Sequence, residues 1–85
     1  MKEAMYKRYA NQKPVGAAYI SGTFGLQVYE PDENDKYDCD YVCSWHNGEN
    51  EWGYHKHKVH YSTSGRAFIR KGSLRIYLDE VMRVA

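Results

Sequence analysis

From Ala17 to Glu30 apolar and polar positions alternate with a period of two. Ala18, Ile20, Phe24, Leu26 and Val28 fall on one side, and Tyr19, Ser21, Thr23, Gln27 and Tyr29 on the other. Alternation of this length predicts β structure with one buried face. Ser21-Gly22 inside it either bends one strand or turns between two. A polar loop, Pro31 to Lys36, follows, with Asp32 and Asn34 suited to turns. The pattern then resumes, with Tyr37, Cys39, Tyr41, Cys43 and Trp45 on one face and Asp38, Asp40, Ser44 and His46 mostly on the other. Asn47-Gly48 ends it as a hairpin signal, which should place Trp52 to Ser62 alongside.

The last third is the most regular. Lys71-Gly72 between apolar runs predicts a two-residue turn that sets Arg70 opposite Ser73 and Ile69 opposite Leu74. Ala67, Ile69, Leu74, Ile76 and Leu78 then share a core face. Arg66, Phe68, Arg70, Arg75 and Tyr77 share the other. Lys56, Lys58 and His60 join that second face if Val59 and Tyr61 point inward, and Lys71 belongs with it at the turn. Before the strands, Ala4, Met5, Tyr6 and Tyr9 cluster at spacings that suit a short helix or arm within residues 1–14, with Pro14 ending the pattern. After them, Asp79 can cap a short helix over 79–85 in which Val81, Met82 and Val84 cover an open end of the sheet. The predicted fold is mainly β (α+β): five or six antiparallel strands over 15–78, curled into a small roll or partly open barrel of SH3-like or OB-like type, with short helices at the termini.

Eighty-five residues make one domain, 1–85, near the low end for a single unstapled core. A basic start, Met1 to Arg8, followed by no apolar run, predicts no secretory signal, and no stretch has the length of a membrane span. A cytoplasmic setting without membrane contact is expected. Cys39 and Cys43, four apart on a strand, would have Cα atoms roughly 13 Å apart at ~3.3 Å per residue. That is too far for a bridge, so free thiols are expected, with an intermolecular bridge still open.

Net charge of +1 hides a segregation along the chain: +3 over 1–29, −7 over 30–51 and +5 over 52–85. Either the blocks pair with each other inside the fold or the basic ones face an acidic partner. The basic aromatic face is what a single-strand nucleic-acid binder uses, with cations on phosphates and rings on bases. On this reading the binding residues are Lys56, Lys58 and His60, then Arg66, Phe68 and Arg70, and finally Lys71, Arg75 and Tyr77. The competing reading is a solvated face with Arg stems over rings. No RNP, KH or helix-turn-helix motif accompanies it.

Other chemistry is thinner. His55 and His57 share a strand face, and with His46 or a cysteine could ligate zinc, although the spacing matches no standard pattern. Asp32, Asn34 and Asp35 lack the twelve-position calcium loop. No nucleophile elbow, phosphate-cradling glycine loop or zincin motif occurs, so no enzyme and no cofactor are expected. The nine tyrosines and two tryptophans also suit a protein-contact module, with Trp45, Trp52, Tyr54 and Phe68 as anchors or an edge strand pairing with another chain. The acidic block can likewise stand in for phosphates at a nucleic-acid-handling enzyme.

The ending Arg75-Ile76-Tyr77-Leu78-Asp79-Glu80-Val81-Met82-Arg83 resembles a terminal segment of small uncharacterised proteins of Firmicutes phages and integrative elements. The resemblance implies a mobile-element setting and transfers no site residue. The expectation is a small non-enzymatic binding protein whose partner is nucleic acid. The alternatives are a protein-contact inhibitor of a host defence system, of anti-CRISPR or antirestriction type, or a His/Cys metal-binding domain. A homodimer is compatible with any of these.

Overall fold

The computed structural model describes residues 5–21, 24–47 and 51–83, with side chains at all of these except 20, 21, 51, 52 and 83. The clustered apolar positions near the start form a short helix, α1, Met5–Tyr9. The first long alternation divides into β1, Gly16–Ser21, and β2, Phe24–Tyr29, an antiparallel pair with Ala18 opposite Leu26. β3, Tyr41–His46, pairs with β2, and β4, Glu51–His57, pairs with β3. The residues expected to make the turn between them, from Gly48, lie outside the described ones. β5, His60–Tyr61, β6, Ala67–Lys71, and β7, Leu74–Tyr77, follow. A 3-10 turn, Leu78–Glu80, then leads into β8, Met82–Arg83, beside β1.

The architecture is mainly β, but the strands form two antiparallel sheets where one curled sheet was expected. β4-β3-β2-β1, with β8 on its edge, makes the larger and β5-β6-β7 the smaller; neither closes or curls into a barrel. The expected long strand from Trp52 to Ser62 breaks at Lys58-Val59. Asp40 holds the break: its backbone N–H donates to the carbonyl of His57 (2.9 Å), and its carboxylate accepts from the N–H of Val59 (2.8 Å). Those two bonds satisfy backbone groups that would otherwise extend the ladder, and the chain passes into the second sheet.

Apolar side chains from the two sheets meet in one core. Ala18, Leu26, Val28, Cys43 and Trp45 come from the larger sheet, and Ile69 and Ile76 from the smaller. The opposite face of the larger sheet carries a second core in which Tyr9 of α1 packs on Tyr29, Val42 and Cys39. β3 is therefore buried on both faces, and Val42 is as fully buried as Cys43. The two thiols are free and belong to different cores. Burial pushes the Cys43 thiol up to about 12, with Cys39 adding to the shift. No helix among the described residues is long and apolar enough to cross a membrane.

Two further expectations are corrected. Tyr37 and Cys39 precede β3, because the Asp32 carboxylate accepts from the N–H groups of Asn34 (2.9 Å) and Asp35 (3.2 Å) and winds this segment into turns. Tyr37 is left 84% exposed. At the other end Asp79 caps no helix. Its carboxylate pairs with Arg66, and the chain extends after one 3-10 turn to join the β1 edge.

Gly25 marks a tight point in the larger sheet. A Cβ there would lie 2.7 Å from the carbonyl oxygen of Ala18, a backbone atom that cannot swing away. Gly25→Ala is therefore expected to cost about 1–3 kcal/mol, as overpacking does, read as a lowered denaturant midpoint with an unchanged m-value.

The sheets are also joined by a polar link. The Trp45 indole N–H donates to Nε2 of His57 (3.0 Å), and the Lys71 ammonium lies 5.3 Å from the Trp45 ring centroid. Burial, with the charges of His55 and Lys71 adding, pushes the His57 pKa from 6.5 down to about 4, against a hydrogen bond with the Arg70 backbone. Between those values the unfolded chain takes up a proton that the folded one refuses. Stability from neutral His57 is complete well above pH 6.5, declines as pH falls from about 6.5 to about 4, and is level below that. The slope reaches about 1.4 kcal/mol per pH unit. Urea unfolding between pH 7 and 4 should show this decline, and His57→Gln, which keeps an acceptor for Trp45 but does not titrate, should flatten it.

Candidate nucleic-acid interface

Strand alternation turns Ala67, Ile69, Leu74 and Ile76 of the smaller sheet inward and His60, Phe68, Arg70, Arg75 and Tyr77 outward. Ile69 and Ile76 are buried between the sheets accordingly. In register, His60 lies opposite Phe68, Phe68 opposite Tyr77, and Arg70 opposite Arg75. The rings form a ladder across all three strands, with centroids 5.6 Å apart for His60 and Phe68 and 5.5 Å for Phe68 and Tyr77.

Guanidinium groups cover this ladder. Arg75 Cζ lies 4.5 Å from the Phe68 centroid, and Arg66 Cζ 3.9 Å from that of Tyr77. Phe68 is only 5% exposed although it faces outward. Arg66 is forked onto Asp79, Nε donating to Oδ2 (3.0 Å) and Nη2 to Oδ1 (2.8 Å), with Glu80 at 3.5 Å. Those bonds raise its pKa, hydrogen bonding to Asp79 contributing most. Arg70 and Arg75 are exposed, and among the described residues neither has a carboxylate within ion-pair distance. Arg70 Nε donates to the Gly72 carbonyl (3.2 Å).

Comparison of the chain with protein-family models, curated proteins and solved structures gives no match. What the surface can bind therefore rests on its own residues.

Three of the expected binding residues lie elsewhere. Lys56 sits on β4, on the α1 side of the larger sheet, 3.4 Å from the Asp35 carboxylate and 3.2 Å from that of Asp38. Lys58 is exposed in the break between the sheets, beside Lys36, Tyr37, Asp38 and Asp40. Lys71 pairs with Leu74 and so shares the inner side, over Trp45. The turn is Gly72-Ser73, one residue later than expected. Gly72 has φ +61° at its first central position, where a II′ turn requires a positive value.

Much of the acidic block is drawn into the fold. Asp35, 2% exposed, accepts from the Tyr9 hydroxyl (2.6 Å) and Arg8 Nη2 (2.7 Å), while Arg8 Nε donates to Asp32 (2.9 Å). Burial opposes ionisation of Asp35, but the donors of Tyr9, Arg8 and Lys56 together bring its pKa down to about 2. This network joins the N-terminal basic block to the acidic one, and neither the Arg8–Asp35 pairing nor the Arg66–Asp79 fork was anticipated. The histidines do not gather: among the described residues no three of His, Cys, Asp and Glu are placed to hold a metal ion. Nε2 of His57 is already occupied by Trp45, whereas His46 flanks Gly25 on β2 and His55 lies opposite Cys43.

Proposed function

We propose that this chain is a small non-enzymatic nucleic-acid-binding protein, encoded by a phage or mobile element as its C-terminal resemblance implies. It binds through the outer face of β5-β6-β7. The observation that carries this reading is the Arg70–Arg75 pair. Like charges directly opposite on neighbouring strands destabilise a sheet, and here no carboxylate among the described residues offsets them. A phosphodiester between the two guanidiniums removes that repulsion and gains charge-assisted hydrogen bonds. His60, Tyr77 and Arg66 flank the pair with flat π surfaces.

Titration of the isotopically labelled protein with a short oligonucleotide tests the location. Shifts concentrated in the side-chain Nε–H signals of Arg70 and Arg75 and in β6 and β7 amides are expected. Shifts confined to Pro31–Asp40 or to β1 would contradict it.

One observation favours a second reading, contact with another protein or a second copy. α1 covers the larger sheet over Tyr29 and Val42 but leaves Tyr19 79% and Met82 73% exposed on the same side. Sedimentation equilibrium checks the second-copy form: a dimer dissociated by Tyr19→Lys supports it, and a monomer at high concentration removes it.

A further inference from the structure

Arg66 differs from the other cations on this face, and the difference assigns it a separate task. Its charge is already matched by Asp79 and Glu80, so it has little to gain from a phosphate. Its plane is fixed from two directions. The Asp79 carboxylate binds Nε and Nη2 in a fork, and the Tyr77 ring backs one face at 3.9 Å. A guanidinium held edge-on by a carboxylate and on one side by a ring keeps its other face for a planar ligand. The side chain remains 45% exposed. By contrast Phe68, the natural candidate for base stacking, is covered by Arg75.

We infer that Arg66 is a base-stacking platform, with Tyr77 and Asp79 as its positioning residues, and that the ligand is a single strand whose unpaired bases can reach it. This rests on the nucleic-acid reading above. The phosphates go to Arg70 and Arg75, and an adjacent base lies flat on the outer face of Arg66. Bases inside a duplex are stacked on one another and offer no such face, whereas unstacked bases pack on guanidinium planes as they do on aromatic rings.

The test compares wild type with Arg66→Lys on three probes: an oligothymidylate, a strand of the same length made only of abasic deoxyribose phosphates, and a duplex. Lys keeps the charge and loses the plane. Wild type should favour the oligothymidylate over the other two probes. Arg66→Lys should lose about tenfold or more on the oligothymidylate, the order of one stacked base, with the abasic affinity and the salt dependence unchanged. Equal loss on oligothymidylate and abasic strand would make Arg66 a phosphate contact and overturn the inference; so would no loss on either, or equal wild-type affinity for strand and duplex. Should Arg66→Lys fail to fold, Asp79→Asn discriminates by another route. It releases the Arg66 charge and should steepen the salt slope by up to about 0.7, whereas an unchanged slope would mean that Arg66 already met a phosphate. Absence of binding to all three probes by wild type defeats the nucleic-acid reading itself, and this inference with it.

Discussion

Asp35→Ala should lower the stability of the domain by about 3 kcal/mol or more, the cost of removing one partner from a buried ion pair. Asp35 is 2% exposed and is the meeting point of α1, the acidic loop and β4 through Tyr9, Arg8 and Lys56. Without the carboxylate, the Tyr9 hydroxyl loses its acceptor while the N–H of Asp32 still donates to it, and Arg8 loses the shorter of its ion pairs with Asp35 and Asp32. In a domain of this size each kcal/mol moves Tm by roughly 4–8 °C, so a drop of about 12–24 °C is expected by calorimetry. Lys56→Met, which removes a more exposed member, should cost clearly less. A loss below about 1 kcal/mol for Asp35→Ala would mean that Arg8 and Tyr9 find other partners.

Arg70→Glu should do the reverse to stability while destroying binding. It converts a like-charged pair into an opposite-charged one facing Arg75, worth about 0.2–1 kcal/mol across strands, so Tm should hold or rise slightly. Nucleic-acid affinity at low salt should fall by about 100-fold or more, since one phosphate contact is lost and a negative charge takes its place. Arg70→Glu with Arg75→Glu restores the repulsion with inverted sign and should abolish binding without unfolding the domain. A variant that loses binding only because it has lost its fold would show that these arginines are structural.

The small sheet was legible because the period of two holds within each of Ala67–Lys71 and Leu74–Tyr77, and the face it assigns to His60, Phe68, Arg70, Arg75 and Tyr77 is the one observed. Its turn lies one residue later than expected, which shifts the pairing by two residues and so leaves every side chain of the two strands, Lys71 apart, on its expected face. Gly placed first in Gly72-Ser73 suits a II′ turn and was a signal available in the chain. Lys56, Lys58 and Lys71 were misplaced for a different reason. No Gly or Pro marks the break at Lys58-Val59; it is set by Asp40, nineteen residues before Val59, and side-chain capping at that distance leaves no local pattern. The Tyr9–Asp35 bond spans twenty-six residues and is equally invisible. The charge blocks did contain a hint of it, since internal pairing was one of the two ways to reconcile −7 over 30–51 with its basic neighbours. The burial of β3 on both faces follows from α1, which a run of five helical residues hardly announces.

The most direct test of the central claim is fluorescence anisotropy of a labelled single strand titrated with the wild-type protein from low to physiological salt. Binding through the β6-β7 face predicts saturable association whose log affinity falls linearly with log salt, at about 0.7 per phosphate contacted, hence a slope near −1.4 for the two guanidiniums of Arg70 and Arg75. No association at the lowest salt, or binding indifferent to salt and to Arg70→Glu, would contradict it.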